Sequence, residues 1–180
     1  LWIADNQQPV LTEQKLIAGQ DGNEAIFQPQ WSPDNQLYFV SDRNNWWNIY
    51  RADDAGDESI YPIDAEFATP LWQLGMSTYC FISESVIGCV WSQNGLWKSG
   101  FYDLSAKCMT RVNCDYSSFH SVCAHNGYMT MIADAPARAS QVISMEHDST
   151  PQINYAPTTL SVSAEELSMA ESFYYLSGND

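Results

Sequence analysis

Residues 31–43 have the sequence Trp-Ser-Pro-Asp-Asn-Gln-Leu-Tyr-Phe-Val-Ser-Asp-Arg, which places a strand end, a tight turn and a second strand in one short stretch. Pro33 fixes its own φ angle, Asp34 can hydrogen-bond its own backbone, and Asn35 tolerates the left-handed conformation that closes a turn. The β-branched and aromatic run at 37–40 fits a half-buried strand. The stretch is typical of the inner hairpin of a β-propeller blade.

The composition favours an all-β fold. The chain has 180 residues, of which 45% are hydrophobic and 16% are charged. This is enough apolar material for a core and too little charge for a disordered protein. Trp, Tyr, Phe, Val, Ile, Ser and Asn are frequent, and only residues 164–171 favour a helix.

The charge balance limits the partners. Seven Lys and Arg residues against 22 Asp and Glu residues give a formal net charge of −15. A polyanion would be repelled, so nucleic acid and an anionic membrane are poor partners. No apolar run approaches the roughly 20 residues of a membrane span. The acidic surface could attract cationic peptides or metal ions. Alternatively, it only makes the molecules of a soluble protein repel one another. We expect neither a cofactor nor a metal site.

The cysteines give an expectation about the compartment. Five cysteines without a C-x-x-C pair are typical of neither a disulfide framework nor a zinc site. We interpret them as buried free thiols, which indicates a reducing cytoplasm. Cys80 and Cys89 lie on consecutive predicted strands and would be candidates for a disulfide only in an exported protein.

Short sequence patterns recur along the chain at offsets of 42 to 50 residues. The strand pattern at 1–5 returns at 49–53 and at 100–103, each time ending in an Asp. A second pattern at 38–42 returns at 88–92 and 129–134. Units of this length with about four short strands each are the signature of propeller blades.

The repeat predicts a partial propeller over residues 1–158, with an incomplete blade near 1–20 and fuller blades near 27–63, 71–114 and 119–155. About three and a half blades cannot close a ring of about 4 to 8 blades. We therefore expect a piece of a longer protein, or a homo-oligomer that pairs exposed blade edges. Residues 159–180 are expected to form a linker and, at 173–175, the first strand toward another domain.

The blade at 27–72 resembles a known family. Its segments 27–34, 37–43, 46–51, 65–67 and 70–72, extended by 75–81, are similar to the propeller of bacterial prolyl-oligopeptidase-family serine peptidases of the acylaminoacyl-peptidase and dipeptidyl-aminopeptidase type. The W-S-P-D turn alone also occurs in TolB-like propellers. Asn35 stands where the family usually has Gly, and Asn44-Asn45 replace a Thr-Gly-like turn. The linker before Phe173 looks shortened relative to the family.

The resemblance implies that the catalytic residues lie on a domain other than the propeller. Such peptidases carry their nucleophilic serine in a G-x-S-x-G motif, followed by Asp and then His, on an α/β-hydrolase domain. This chain contains no G-x-S-x-G. We expect a non-catalytic propeller that gates the access of peptides to a hydrolase domain of a parent serine peptidase. The alternative is a TolB-like propeller that acts as a protein-interaction module.

One residue is singled out for function by the resemblance. Family propellers cover the active site and use charged residues that face the cavity to anchor peptide termini. Glu66 falls in an inter-blade loop of the matching segment and is the predicted substrate-gating residue. Arg43 is expected to pair with a neighbouring Asp rather than with substrate.

Other candidates are interpreted as structural. His120 and Ser121 cannot form a catalytic pair, since neighbours on a strand point to opposite faces, and His125 is interpreted as an ordinary strand or turn residue. The four carboxylates of 53–58 lack the ligand order of a calcium loop and predict a solvated hairpin between a third and a fourth strand. Recurrent tryptophans are expected to pack between blades, namely Trp31, Trp46, Trp47, Trp72, Trp91 and Trp97.

Overall fold

The computed structural model describes residues 1–7, 10–20, 22–157, 162–171, 173, 175 and 178. These parts of the chain form one two-stranded and three four-stranded antiparallel sheets. The other regular element among them is a 3-10 turn at Ala164–Glu166. The predicted all-β class, with about three and a half blades, is confirmed.

The sheets follow one another along the chain. The partial blade consists of β1 (Trp2–Gln7) and β2 (Val10–Leu16). Blade 1 consists of β3 (Ile26–Trp31), β4 (Leu37–Ser41), β5 (Asn48–Arg51) and β6 (Glu58–Ser59). Blade 2 consists of β7 (Tyr79–Phe81), β8 (Val86–Gln93), β9 (Leu96–Asp103) and β10 (Cys108–Val112). Blade 3 consists of β11 (Ser118–His125), β12 (Tyr128–Ala135), β13 (Arg138–Met145) and β14 (Gln152–Tyr155).

The predicted turn between β3 and β4 is confirmed, with one correction. The backbone N–H of Asn35 donates to the carbonyl of Ser32 at 3.0 Å, and Asn35 has a φ of 60°. Asp34 was expected to bond its own backbone, but its carboxylate accepts the hydroxyl of Ser32 instead. Ser32 is buried inside the turn, so its hydroxyl also lies within reach of Gln36.

The core lies between the sheets. One cluster between blades 1 and 2 includes Tyr38 and Trp91, and a second between blades 2 and 3 includes Phe101 and Met131. A smaller cluster joins the partial blade to blade 1. Gly88 permits this close approach, because a Cβ there would lie 2.8 Å from the sulfur of Met129. Blades therefore stabilise one another side by side, each burying the faces of its neighbours.

The C-terminal part does not test the predicted domain boundary. Residues 158–161 and Tyr174 lie outside the described residues. Phe173 and Tyr175 are exposed and belong to no described strand. The linker at 159–180 and the strand at 173–175 stay predictions. Among the described residues, no helix has the length and apolar character to cross a membrane.

Arg43 holds the edge of blade 1 to the segment that precedes it. Its guanidinium pairs with Asp57 at 2.9 Å, as predicted for a neighbouring Asp, and also with Glu24 at 2.5 Å. The same group lies 4.7 Å from the ring centroid of Tyr50. Burial raises the pKa of the Glu24 carboxyl, but hydrogen bonds from Ser41 and Arg43 outweigh it, so this pKa lies below its ordinary value.

We predict that Glu24→Gln reduces the acid sensitivity of folding. A carboxyl with a lowered pKa in the folded state adds stability above its ordinary pKa and loses it as the pH falls through the folded value. The free energy of unfolding should therefore fall less in Glu24→Gln than in the unmodified protein, from neutral pH to about pH 3. Urea unfolding at both pH values measures this difference.

The control for this prediction is Glu84→Gln. Glu84 is exposed in the turn between β7 and β8 and has no ion pair among the described residues. Its variant should keep the acid sensitivity of the unmodified protein. Equal acid sensitivity of Glu24→Gln and Glu84→Gln would contradict the assigned role of Glu24.

Candidate functional site

The candidate site lies at one end of the blades. Antiparallel pairing puts the turn between β4 and β5 and the segment that leaves β6 at the same end of blade 1. The segment 60–78 crosses from blade 1 to blade 2 at this end, which we call the connecting end. The predicted site residue Glu66 lies within that segment.

Glu66 joins blade 1 to blade 2 through its backbone and its side chain. Its N–H donates to the carbonyl of Ser92 at 2.8 Å, and the N–H of Ser92 donates back at 2.9 Å. The Oε2 atom accepts the backbone N–H of Trp47 at 3.0 Å. The half-buried carboxylate therefore has a structural role, which the sequence did not predict, and whether it also contacts substrate stays a prediction.

A buried amide positions this segment. Asn48, at the start of β5, is fully buried. Its side-chain amide donates to the carbonyls of Ile63 and Ala65 at 3.0 and 3.2 Å, and its carbonyl accepts the N–H of Ile63 at 2.9 Å. Because the amide satisfies three backbone groups, it fixes the path of the chain just before Glu66.

A second amide locks the inner strands of blades 1 and 2. Gln28 lies in a bulge of β3 with a φ of 45°. Its side chain accepts the N–H of Thr78 and donates to the carbonyl of Tyr79, both at 2.7 Å. The Tyr79 hydroxyl donates to the backbone carbonyl of Gln28 at 2.9 Å. Sequence analysis missed Gln28 and Asn48, since their partners lie far along the chain or in irregular backbone.

The histidines of blade 3 do not activate a nucleophile. The Nε2 of His120 lies 3.1 Å from Oδ2 of Asp134, and the other oxygen of Asp134 accepts the hydroxyl of Ser140. Ser121 has a φ of 57° in a bulge of β11, and His125 contacts Asn126. Across the described parts of the chain, no serine hydroxyl or cysteine thiol hydrogen-bonds to a histidine.

Carboxylates of the acidic loop at 53–58 form ion pairs with Lys and Arg side chains. The loop comprises the turn between β5 and β6 and the first residue of β6, and three of its carboxylates have different partners. Asp54 pairs with Lys15, Asp57 with Arg43, and Glu58 with both Arg51 and Lys107. No group of three potential metal ligands lies together in the parts of the chain that the structure describes.

The tryptophans follow the prediction only in part. Trp91 is fully buried, and Trp47 and Trp97 pack against the core. The prediction of packing between blades is wrong for Trp72, which is 87% exposed, and for Trp31, which is 56% exposed. Trp31 lies opposite Leu37, on the face of blade 1 that only the two-stranded partial blade covers. Trp72 lies on the connecting segment, where Leu71 and Leu74 are also exposed.

All five cysteines are free thiols, but not all are buried. Cys80 and Cys89 are buried, whereas Cys108 on β10 and Cys123 on β11 are exposed. Burial raises the pKa of the Cys80 thiol to about 12 and also raises the pKa of Cys89. Neither buried thiol is a nucleophile near neutral pH.

The fold matches solved structures of peptidases. The chain superposes on puromycin hydrolase with a TM-score of 0.79 at 22% identity, over 88% of this chain and 24% of that one. A puromycin-hydrolyzing peptidase of Mycobacterium tuberculosis gives a TM-score of 0.75 at 23% identity, over 85% and 24%. Prolyl oligopeptidase B from Galerina marginata, bound to a 25mer macrocyclization substrate, gives 0.66 at 10% identity, over 92% and 24%. No family model and no curated protein sequence matches the chain.

These matches confirm the predicted resemblance at the level of the fold. The chain has the fold of the propeller part of these peptidases. It spans 24% of the length of the structures that it matches.

We predict that Gln28→Ala destabilises the protein by about 1–3 kcal/mol, because the backbone groups of residues 78 and 79 lose their partners inside the structure. Urea unfolding measures the loss. Gln14→Ala, an exposed substitution on β2, is the matched control and should change the free energy of unfolding little. The same small change in both variants would show that Gln28 does not lock the blades.

Proposed function

We propose that this chain is the non-catalytic propeller part of a serine peptidase similar to the prolyl-oligopeptidase family. Its role is to restrict the access of peptides to an α/β-hydrolase domain of the same protein. The observation that carries this proposal is the match to puromycin hydrolase over 88% of this chain, within a protein of which the match covers only 24%. The finer assignment to a bacterial peptidase of the acylaminoacyl-peptidase or dipeptidyl-aminopeptidase type rests on the sequence resemblance at 27–81.

The absence of a G-x-S-x-G motif from this sequence supports a gating role rather than a catalytic one. The sequence has no G-x-S-x-G motif. The described residues of blade 3 also lack the order of a triad, since the Ser140 hydroxyl bonds to Asp134 and not to His120. A serine nucleophile needs a base within hydrogen-bond reach, so another domain must supply the chemistry.

The connecting end offers a surface for the hydrolase domain. Leu71 and Leu74 are 45% and 92% exposed on the segment between β6 and β7. Trp46, in the turn between β4 and β5, is exposed at the same end. Apolar side chains grouped in this way mark a contact with another protein surface. We place the hydrolase domain against this end.

Glu66 is the residue that we propose to meet the peptide. Its Oε2 atom is held by the N–H of Trp47, and no donor contacts Oε1 among the described residues. A fixed carboxylate in an acidic protein attracts the ammonium group at a peptide N-terminus. This arrangement would favour short peptides that enter by their amino end.

The proposal predicts the sequence that accompanies the propeller in the gene. A G-x-S-x-G motif followed by Asp and then His should occur within about 250 residues downstream, the upper size of an ordinary domain. Sequencing the gene on both sides of this segment tests the prediction. A complete coding sequence without the motif would contradict the peptidase and favour the alternative, a TolB-like interaction module.

Glu66→Gln should separate the charge of this residue from its structural role. A Gln carbonyl can still accept the N–H of Trp47, so the fold should be retained. In the whole protein, KM for short peptides with a free N-terminus should rise several-fold at unchanged kcat, whereas N-acetylated peptides should be unaffected. Steady-state kinetics with both peptide types measure this effect.

Two variants complete the test of Glu66. Glu66→Ala removes the acceptor for Trp47 and should also lower the free energy of unfolding by about 1 kcal/mol. Glu84→Gln removes one negative charge from an exposed turn and should leave both KM values unchanged. If Glu66→Gln affects free and acetylated peptides equally, Glu66 does not recognise the ammonium group.

The compartment and the assembly are part of the proposal. The five free thiols support a reducing cytoplasm. The open faces of the partial blade and of blade 3 support self-association of the isolated chain.

A further inference from the structure

A cavity of about 570 Å³ lies at the connecting end, between the connecting segment and the start of β11. Small-ligand sites in proteins enclose about 300–1,000 Å³ and are lined mostly by apolar and aromatic side chains with a few polar groups. The apolar wall of this cavity is formed by Pro70, Trp72, Met76, Trp97, Phe119 and Ile132. The inter-blade locks at Gln28, Asn48 and Glu66 do not use these side chains.

Two indoles border the cavity from different elements. Trp97, on β9, is partly buried and packs against the core between blades 2 and 3, so its ring is held in place. Trp72, on the connecting segment, is 87% exposed and buries little of its surface within this chain. An exposed indole beside a fixed one gives a flat guest group two aromatic surfaces to contact.

The polar side chains of the wall include the imidazole of His120. Asp134 fixes that ring through Nε2 at 3.1 Å. The Thr69 hydroxyl oxygen is buried and has no hydrogen-bond partner among the described residues. This oxygen is closed to solvent, so the hydrogen-bonding groups that face the cavity come from other side chains. Gln73, Ser118 and Ser121 supply further hydrogen-bonding groups.

The charge of the wall restricts the ligand. None of the lining side chains is a carboxylate, an ammonium or a guanidinium group. The net charge of −15 disfavours anions over the whole chain. The guest group is therefore uncharged, with an apolar body and amide groups at its rim.

We infer that this cavity is a subsite for an aromatic or bulky apolar side chain of a peptide. The indoles of Trp72 and Trp97 enclose the side chain, and the polar rim bonds the neighbouring peptide groups. This inference rests on the proposed function, since it names the class of peptide that the propeller admits. It concerns binding to this chain alone and needs no catalytic step.

A titration with N-acetyl-L-phenylalanine amide tests the subsite. The probe should cause saturable NMR shifts of the Trp72 and Trp97 indole N–H signals, with the millimolar dissociation constant of so small a ligand. N-acetylglycine amide lacks the side chain and should cause no saturable shift. Trp72→Ala should weaken binding about tenfold, and its exposed position makes a loss of folding unexpected.

Trp2→Ala is the matched control. Trp2 is also an exposed tryptophan, at 63%, but it lies on β1 and does not line the cavity. Its variant should bind the probe as the unmodified protein does. Unsaturable shifts, equal shifts with both probes, or unchanged affinity in Trp72→Ala would overturn the subsite. The downstream G-x-S-x-G motif is read from the gene, so the subsite and the proposed function fail independently.

Discussion

The hydrogen bonds between the Gln28 side chain and residues 78 and 79 are the constraint on which the rest of the structure depends. They hold the inner strands of blades 1 and 2 at a fixed distance, and the core between Tyr38 and Trp91 fills the space behind them. A propeller has no hydrogen-bonded ladder between blades, so its shape depends on such links and on side-chain packing. The connecting segment, with Glu66 and Trp72, is held by Asn48 near its start and by this junction at its end.

The sequence predicted the parts of the fold that depend on local chemistry. The turn after Trp31 closes at Asn35 with a φ of 60°, and the repeat of strand patterns corresponds to three four-stranded sheets. It did not predict which amides lock the blades, because Gln28 contacts a strand about fifty residues away. The exposure of Trp72 was also missed. Strand and helix periodicity predicts which side chains face the core, and the irregular segment that carries Trp72 has no such periodicity. For Glu66, the resemblance indicated the position, and only the structure gave its contact with Trp47.

The acidic residues form ion pairs within the structure and also give the protein a negative surface. Lys15, Arg43, Arg51 and Lys107 are all paired with carboxylates, which leaves a large negative excess on the surface. Ion pairs such as Arg43 with Glu24 join separate segments, whereas the excess charge produces the field outside the protein. Under the proposed function, this field draws the amino end of a peptide toward Glu66, while the apolar cavity at the same end of the blades selects a side chain.

Under the proposed function, the propeller admits short peptides to the hydrolase domain and excludes folded proteins. The most direct measurement compares kcat/KM of the whole protein for one cleavable sequence, presented either as a short peptide or within an exposed loop of a folded protein. The account predicts efficient cleavage of the short peptide and little cleavage of the folded protein. Equal kcat/KM for the two substrates would contradict it.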